Sequence, residues 1–221
     1  MLSKSNLEFL SLLKENNNRE WFTENKKKFD NEHQKVKEFF NEIGKSLGKI
    51  DSIERIQIFR IYRDVRFSKN KLPYKNHFSV GFSRTKPMLR GGYYLHIEPG
   101  ASFVGGGFWE PNKDDLLRIR KEIALDASEL REIIKHASFK KYFGILEGEE
   151  LKTAPRDFDK THPNIDLIRK KQFLVVRKFT DKEVLSPNFE VEVLESFKAM
   201  RPFFNYMSDV LTTNLNGESI I

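Results

Sequence analysis

At Ile56 the hydrophobic period of this chain changes from that of a helix to that of a strand. Before it, in "REWFTENKKKFDNEHQKVKEFFNEIGKSL", Phe22, Phe29, Val36, Phe40, Ile43 and Leu47 recur at helical spacing among charged residues. Beyond it, "RIQIFRIYRDVRF" and "HFSVGFS" read as strands, and "GGYYLHIEPGASFVGGGFW" reads as a hairpin turning at Glu98, Pro99 and Gly100. Consecutive strands on short links pair antiparallel. The apolar helical stripe then needs a sheet or a neighbouring helix to cover it, which points to an α+β fold.

The rest of the chain fits that class. Residues 5 to 15 read as a short helix, "ENNN" breaks it, and Asn18 is the expected N-cap of one long helix that follows. A helix is expected from Pro111, burying Leu116, Leu117, Ile119 and Ile123, and "DASE" at Asp126 to Glu129 resembles a capping box for the next. A long polar stretch leads to a short helix at Pro163, "QFLVVRKF" reads as a further strand, and a C-terminal helix is expected to kink near Pro202. There is no internal repeat and no Gly/Ser linker. The expectation is a single α+β domain over residues 1–221, with an antiparallel sheet of about five strands flanked by helices. Its parts are a helical region at 5–48, a sheet core at 55–109, and a mixed region at 111–212.

Composition narrows the function classes. With 38% hydrophobic residues and 20 Phe in 221 residues the chain can bury a core. Cys is absent, which excludes disulfides, thiolate nucleophiles and Cys-ligated zinc. No apolar run approaches the roughly 18 residues a membrane span needs, and the start has no signal-peptide core, so a cytoplasmic protein is expected. The formal charge of +7 favours acidic partners.

That charge is concentrated in "FRIYRDVRFSKNKLPYKNH", where Arg60, Arg63, Arg66, Lys69, Lys71 and Lys75 surround the single carboxylate Asp64 and alternate with apolar residues. If the strand runs past Phe59, Arg60, Tyr62, Asp64 and Arg66 share one face, and Ile61, Arg63, Val65 and Phe67 the other. Guanidinium forks match carboxylate and phosphate oxygens, and Asp64 can align one of them without neutralising the set. Pro73 stiffens the loop that presents Tyr74 and Lys75. Lys69 and Lys71 fit a solvated turn equally well.

Other candidates are less concentrated. Tyr94, His96 and Glu98 share a face of the hairpin, where His96 with Glu98 suits an acid and base pair or part of a metal site. Two ligands without an HExxH pattern specify no metal, and His33, His77, His136 and His162 show no ligand spacing. Gly105, Gly106 and Gly107 lie between a strand and a helix, where backbone N–H groups can cradle phosphate, or where glycine admits a close neighbour. Trp109 beside them can stack on a base or fill the core. In "PRDFDKTHPNIDLIRKKQF", His162 precedes a helix start that carries Asp166, Arg169 and Lys170, which suits proton exchange beside an anion or a plain cap.

The strings "RIYRDVRFSKNKLPYKNH", "GGYYLHIEPGASFVGGGFWEP" and "PRDFDKTHPNIDLIRKKQF" resemble, in order and spacing, a widespread family of conserved uncharacterised microbial proteins, domain of unknown function 2461. The resemblance runs from about Phe9 to Phe179 and beyond. It places the family's motif on Arg60, Arg63, Asp64, Arg66, Phe67, Lys71, Pro73, Tyr74 and Lys75, then on Tyr94, Pro99, Gly106, Gly107 and Pro111. It continues on Pro155, His162, Pro163, Arg169 and Lys171. Asp157 stands where the family pattern usually has glycine. The resemblance supplies no reaction, substrate or cofactor.

Three functions therefore stand open. The first is a site for a small phosphorylated or carboxylated molecule, with Arg60, Arg63, Arg66, Lys71, Tyr74, Lys75, Gly106, Gly107, Trp109 and Arg169 as ligand-binding candidates. If it catalyses, His162 or His96 carries the proton and Asp64 orients an arginine. The second is an interaction protein whose arginines form an internal salt-bridge network. The third is a nucleic-acid-binding module, although no RNP, KH or helix-turn-helix signature is present. No pattern specifies a metal, a cofactor or an oligomeric state.

Overall fold

The apolar stripe read before Ile56 is buried as expected: Phe22 is 2% exposed, Phe29 5%, and Val36, Phe40, Ile43 and Leu47 are fully enclosed. In the computed structural model, which describes residues 1–221, it is carried by two helices rather than one. α1 spans Lys4–Glu15, α2 Arg19–Glu24 and α3 Lys26–Leu47. Asn18 caps α2 as expected, its Oδ1 accepting from Trp21 N at 2.9 Å. The break falls at Asn25, whose amide donates to Trp21 O at 2.9 Å, a local bond that competes with helix propagation.

The strands are β1 (Ile53–Ile58), β2 (Phe78–Arg84), β3 (Gly92–Ile97), β4 (Ser102–Phe108) and β5 (Phe173–Phe179). They form one five-stranded antiparallel sheet in sequential order, and the fold is α+β. β1 is shorter than expected. After Ile58 the chain makes one more ladder bond, Phe59 N to Ser79 O at 3.0 Å, and then leaves the sheet. It doubles back where Tyr62 pairs with Tyr74, supported by Arg63 N to Pro73 O at 2.9 Å and Lys75 N to Ile61 O at 2.8 Å. The expected alternation therefore fails beyond Tyr62: Ile61 is 2% exposed, but Phe67 is 96% exposed. With no partner strand past the Tyr62 bridge, nothing holds the pleat.

The remaining helices are α4 (Lys113–Leu125), α5 (Ser128–Lys135), α6 (Ala137–Phe143), α7 (Ile165–Ile168), α8 (Asp181–Val184) and α9 (Phe189–Thr212). α4 begins two residues after Pro111, because Asn112 takes the cap and accepts from Asp115 N at 2.9 Å. Asp126 does not act as the reciprocal cap expected of "DASE"; it accepts from Ser128 N at 2.8 Å while Ala127 holds the N-cap position of α5. α9 continues through Pro202. No helix is long and apolar enough to cross a membrane.

The chain divides into two compact units, and β2, β3, β4 and β5 each contribute residues to both. Unit 1 comprises Met1–Phe82, Tyr94–Val104 and Lys178–Glu195. Its core is the aromatic side of α1 to α3, where the buried Glu32 accepts from Asn6 Nδ2 at 2.6 Å and from Lys35 Nζ at 2.9 Å. Unit 2 comprises Ser83–Tyr93, Gly105–Arg177 and Ser196–Ile221. There Phe197 and Phe204 of α9 meet Tyr93 at 4.9 and 5.0 Å, and the fully buried Arg84 donates to Asn205 Oδ1 at 2.7 Å.

Within unit 1, His33 of α3 lies between the rings of Phe29 (4.9 Å) and Phe78 (5.6 Å). Burial first, then the Lys37 charge, pulls its pKa down to about 4; Lys26 adds to this and Asp30 opposes it. The folded value lies below the ordinary 6.5, so the neutral ring is favoured, and its stabilisation is complete above pH 6.5 and lost as pH falls toward 4. Allowing for solvent screening of a partly exposed ring, that loss is about 1–2 kcal/mol. His33→Phe is expected to flatten the corresponding part of a melting-temperature profile between pH 7 and pH 4.

Candidate functional site

Strand alternation in β3 builds the floor of the site in unit 1. Tyr93, Leu95 and Ile97 enter the core, leaving Tyr94, His96 and Glu98 on the opposite face, as the sequence implied. His96 Nε2 lies 3.0 Å from Glu98 Oε2, and the Tyr94 hydroxyl lies 3.1 Å from His96 Nδ1. Phe103 of β4 stacks on the His96 ring at 4.7 Å. His77, immediately before β2, brings its ring to 4.1 Å from that of His96. Asn76 Nδ2 donates to the second carboxylate oxygen, Glu98 Oε1.

The basic stretch returns to this floor. Burial, then the Arg60 and Arg63 guanidiniums, holds the Lys75 ammonium below its usual pKa, and its Nζ lies 5.6 Å from the Phe59 ring centre. Burial, followed by His96, Lys75 and Arg63, pulls His77 down to about 3. His96 is also lowered by burial, with Glu98 opposing. Burial thus favours the neutral form of both imidazoles, and the Lys75 and Arg63 charges act on His77. No carboxylate lies within 4.0 Å of the charged nitrogens of Arg60, Arg63 or Lys75. Arg63 Nε is buried and has no hydrogen-bond partner.

Arg66 and Lys71 are engaged locally, and Lys69 is exposed. Arg66 grips Asp64 with two bonds, Nε to Oδ1 at 3.0 Å and Nη2 to Oδ2 at 2.6 Å, in solvent. Those bonds hold the Asp64 carboxyl below the usual carboxylate range. Lys71 Nζ donates to Val65 O at 2.9 Å and pins the loop to itself. Tyr74 is 5% exposed and stacks on Phe22 at 4.0 Å, while its backbone N–H and C=O bond the Asn17 side chain. Tyr74 therefore anchors the stretch to α2. Tyr74→Ala is expected to destabilise by about 3–4 kcal/mol in a urea titration, and Tyr74→Phe by far less, because the ring supplies the packing.

Gly106, Gly107, Trp109, His162 and Arg169 belong to unit 2. A Cβ on Gly106 would stand 2.6 Å from the Phe204 ring, so this glycine admits α9. Trp109 is 65% exposed. His162 Nδ1 accepts from Asn164 N at 3.1 Å, and Arg169 Nη2 lies 3.5 Å from Glu150 Oε2. Asp157 has φ +69, so it adopts the backbone conformation glycine favours; Asp is among the few side chains that tolerate it.

A family model described as "conserved hypothetical protein (DUF2461)" matches residues 5–206. The chain belongs to this family. No curated protein and no solved structure matches it. The match includes every residue of the floor and of the cation cluster. His77 and Asn76 were not singled out as site residues by the sequence. Their one signal was a position next to "HFSVGFS", but which β3 residue they meet depends on the β2–β3 register.

Proposed function

We propose that the unit 1 cluster binds a small molecule carrying a phosphate or carboxylate group, through Arg60, Arg63 and Lys75. The supporting observation is Arg63: its Nε is enclosed and has no hydrogen-bond partner, its charge and that of Arg60 both act on Lys75, and the nearby Asp64 is taken by Arg66. Arg63 is half-buried, and covering its Nε without a partner costs free energy that an arriving oxyanion returns, charge-assisted forks being the strong hydrogen bonds. An internal salt-bridge network accounts for Arg66 and Asp64 only. His96, bonded to Glu98 through Nε2 and to the Tyr94 hydroxyl through Nδ1, stands at the floor of the site.

A melting-temperature screen against inorganic phosphate, pyrophosphate, a nucleoside monophosphate, malonate and a short single-stranded RNA tests this. A small oxyanion at about 100 times its Kd adds about 2.7 kcal/mol, which raises the melting temperature by about 5–10 °C. Stabilisation by RNA alone, collapsing steeply with salt, would instead favour a nucleic-acid module. No shift with any of them overturns the proposal.

A further inference from the structure

We propose that His77, His96 and Glu98 bind a divalent first-row transition-metal ion whose remaining coordination positions face the anion held by Arg63 and Lys75. The ligand assignment stands on its own geometry; the identity of the further ligand rests on the anion site proposed above.

One donor atom from each of the three residues lies within 4.8 Å of the others. Donors on a shared ion at about 2.1 Å stand roughly 3–3.5 Å apart. His96 Nε2 and Glu98 Oε2, at 3.0 Å, are already there, and a turn of the His77 ring closes the set. The non-ligating atoms are held too. Tyr94 OH engages His96 Nδ1, so with metal on Nε2 the Nδ1 proton points to the phenol oxygen. Asn76 holds Glu98 Oε1, and Ser102 Oγ bonds both Glu98 N (3.0 Å) and Glu98 O (2.9 Å), fixing the turn. Outer partners of this kind orient metal ligands and stabilise the binding tautomer.

Two imidazoles and one carboxylate suit Fe2+, Mn2+, Co2+ or Zn2+ rather than Mg2+ or Ca2+, and three protein ligands leave positions open. Arg63 and Lys75 beside His77 disfavour a bare dication, so the ion and an anion bind better together than either alone. That coupling is reciprocal: phosphate tightens the metal by the factor by which the metal tightens phosphate.

The test is dialysis of chelator-treated protein against Co2+, with metal counted per chain and the Co2+ visible spectrum recorded, with and without inorganic phosphate. Wild type is expected to take up about one Co2+, with affinity at least tenfold weaker in His77→Gln and in Glu98→Gln, whose folding is checked by circular dichroism. Arg63→Met is expected to keep the metal and to lose its tightening by phosphate. Uptake well below one per chain, or uptake untouched by both ligand variants, overturns the metal site; if phosphate still binds wild type, the anion site survives alone. Full uptake that is sensitive to His77→Gln and Glu98→Gln but indifferent to phosphate supports the metal ligands and overturns the coupling.

Discussion

Arg63→Met is expected to abolish anion binding while leaving the protein at least as stable as the wild type. The two effects share one cause. In the unliganded protein Arg63 Nε is enclosed without a partner, so a side chain of similar length and no charge removes a desolvation cost and relieves repulsion with Arg60 and Lys75. Replacing a half-buried, poorly compensated charge by an apolar side chain is expected to be neutral or slightly stabilising, by less than about 1 kcal/mol. With ligand, the same substitution removes a charge-assisted fork, and truncating one side of such a pair costs about 2–5 kcal/mol, roughly 30-fold to several thousand-fold in Kd. Arg60→Ala, at an exposed residue, is expected to weaken binding by only about threefold to tenfold. Calorimetric titration with pyrophosphate, beside urea unfolding of the free proteins, reads both quantities. A buttressing arginine would behave in the opposite way, with a large loss of stability in Arg63→Met.

Gly107→Ala is expected to destabilise by at least about 3 kcal/mol, lowering the melting temperature by about 6–12 °C. Gly107 has φ +127, a conformation that side chains rarely adopt, and a Cβ there would stand 2.1 Å from Phe173 O. The obstacle is backbone of β5, which cannot swing aside as a side chain would. Gly100→Ala is the comparison: φ is +72 but nothing lies within 4 Å, so it carries backbone strain alone, about 1–2 kcal/mol. The outcome decides what the glycine run does. If Gly107 cradled a phosphate, its alanine variant would lose ligand affinity; close packing of β4 on β5 predicts instead that affinity in unit 1 is unchanged while unfolding moves to lower denaturant.

What the sequence made legible follows from how local each interaction is. The helical stripe through Phe40 and Leu47 and the alternation of Tyr93 with Tyr94 depend only on backbone period, and both were readable. Arg60, Arg63 and Arg66 looked equivalent in the sequence. They differ because Asp64 reaches Arg66 across two residues, while the backbone of Arg63 pairs with Pro73 where the chain returns at the Tyr62–Tyr74 bridge and its Nε is covered, a contact whose register the sequence does not state. Tyr74 looked like part of a clamp because its stacking partner, Phe22, lies 52 positions earlier in the numbering. His77 was passed over for the same reason: its neighbour His96 lies on the adjacent strand. The break at Asn25 was missed because one side-chain bond to Trp21 O outweighs an otherwise continuous apolar stripe.

A crystal structure of the protein grown with pyrophosphate distinguishes an Arg63 that receives an oxyanion from one that buttresses the fold. A phosphate oxygen is expected within hydrogen-bond distance of Arg63 Nε, with Lys75 on the same group. Arg63 turned onto a carboxylate of its own chain, with no pyrophosphate beside it, would contradict it.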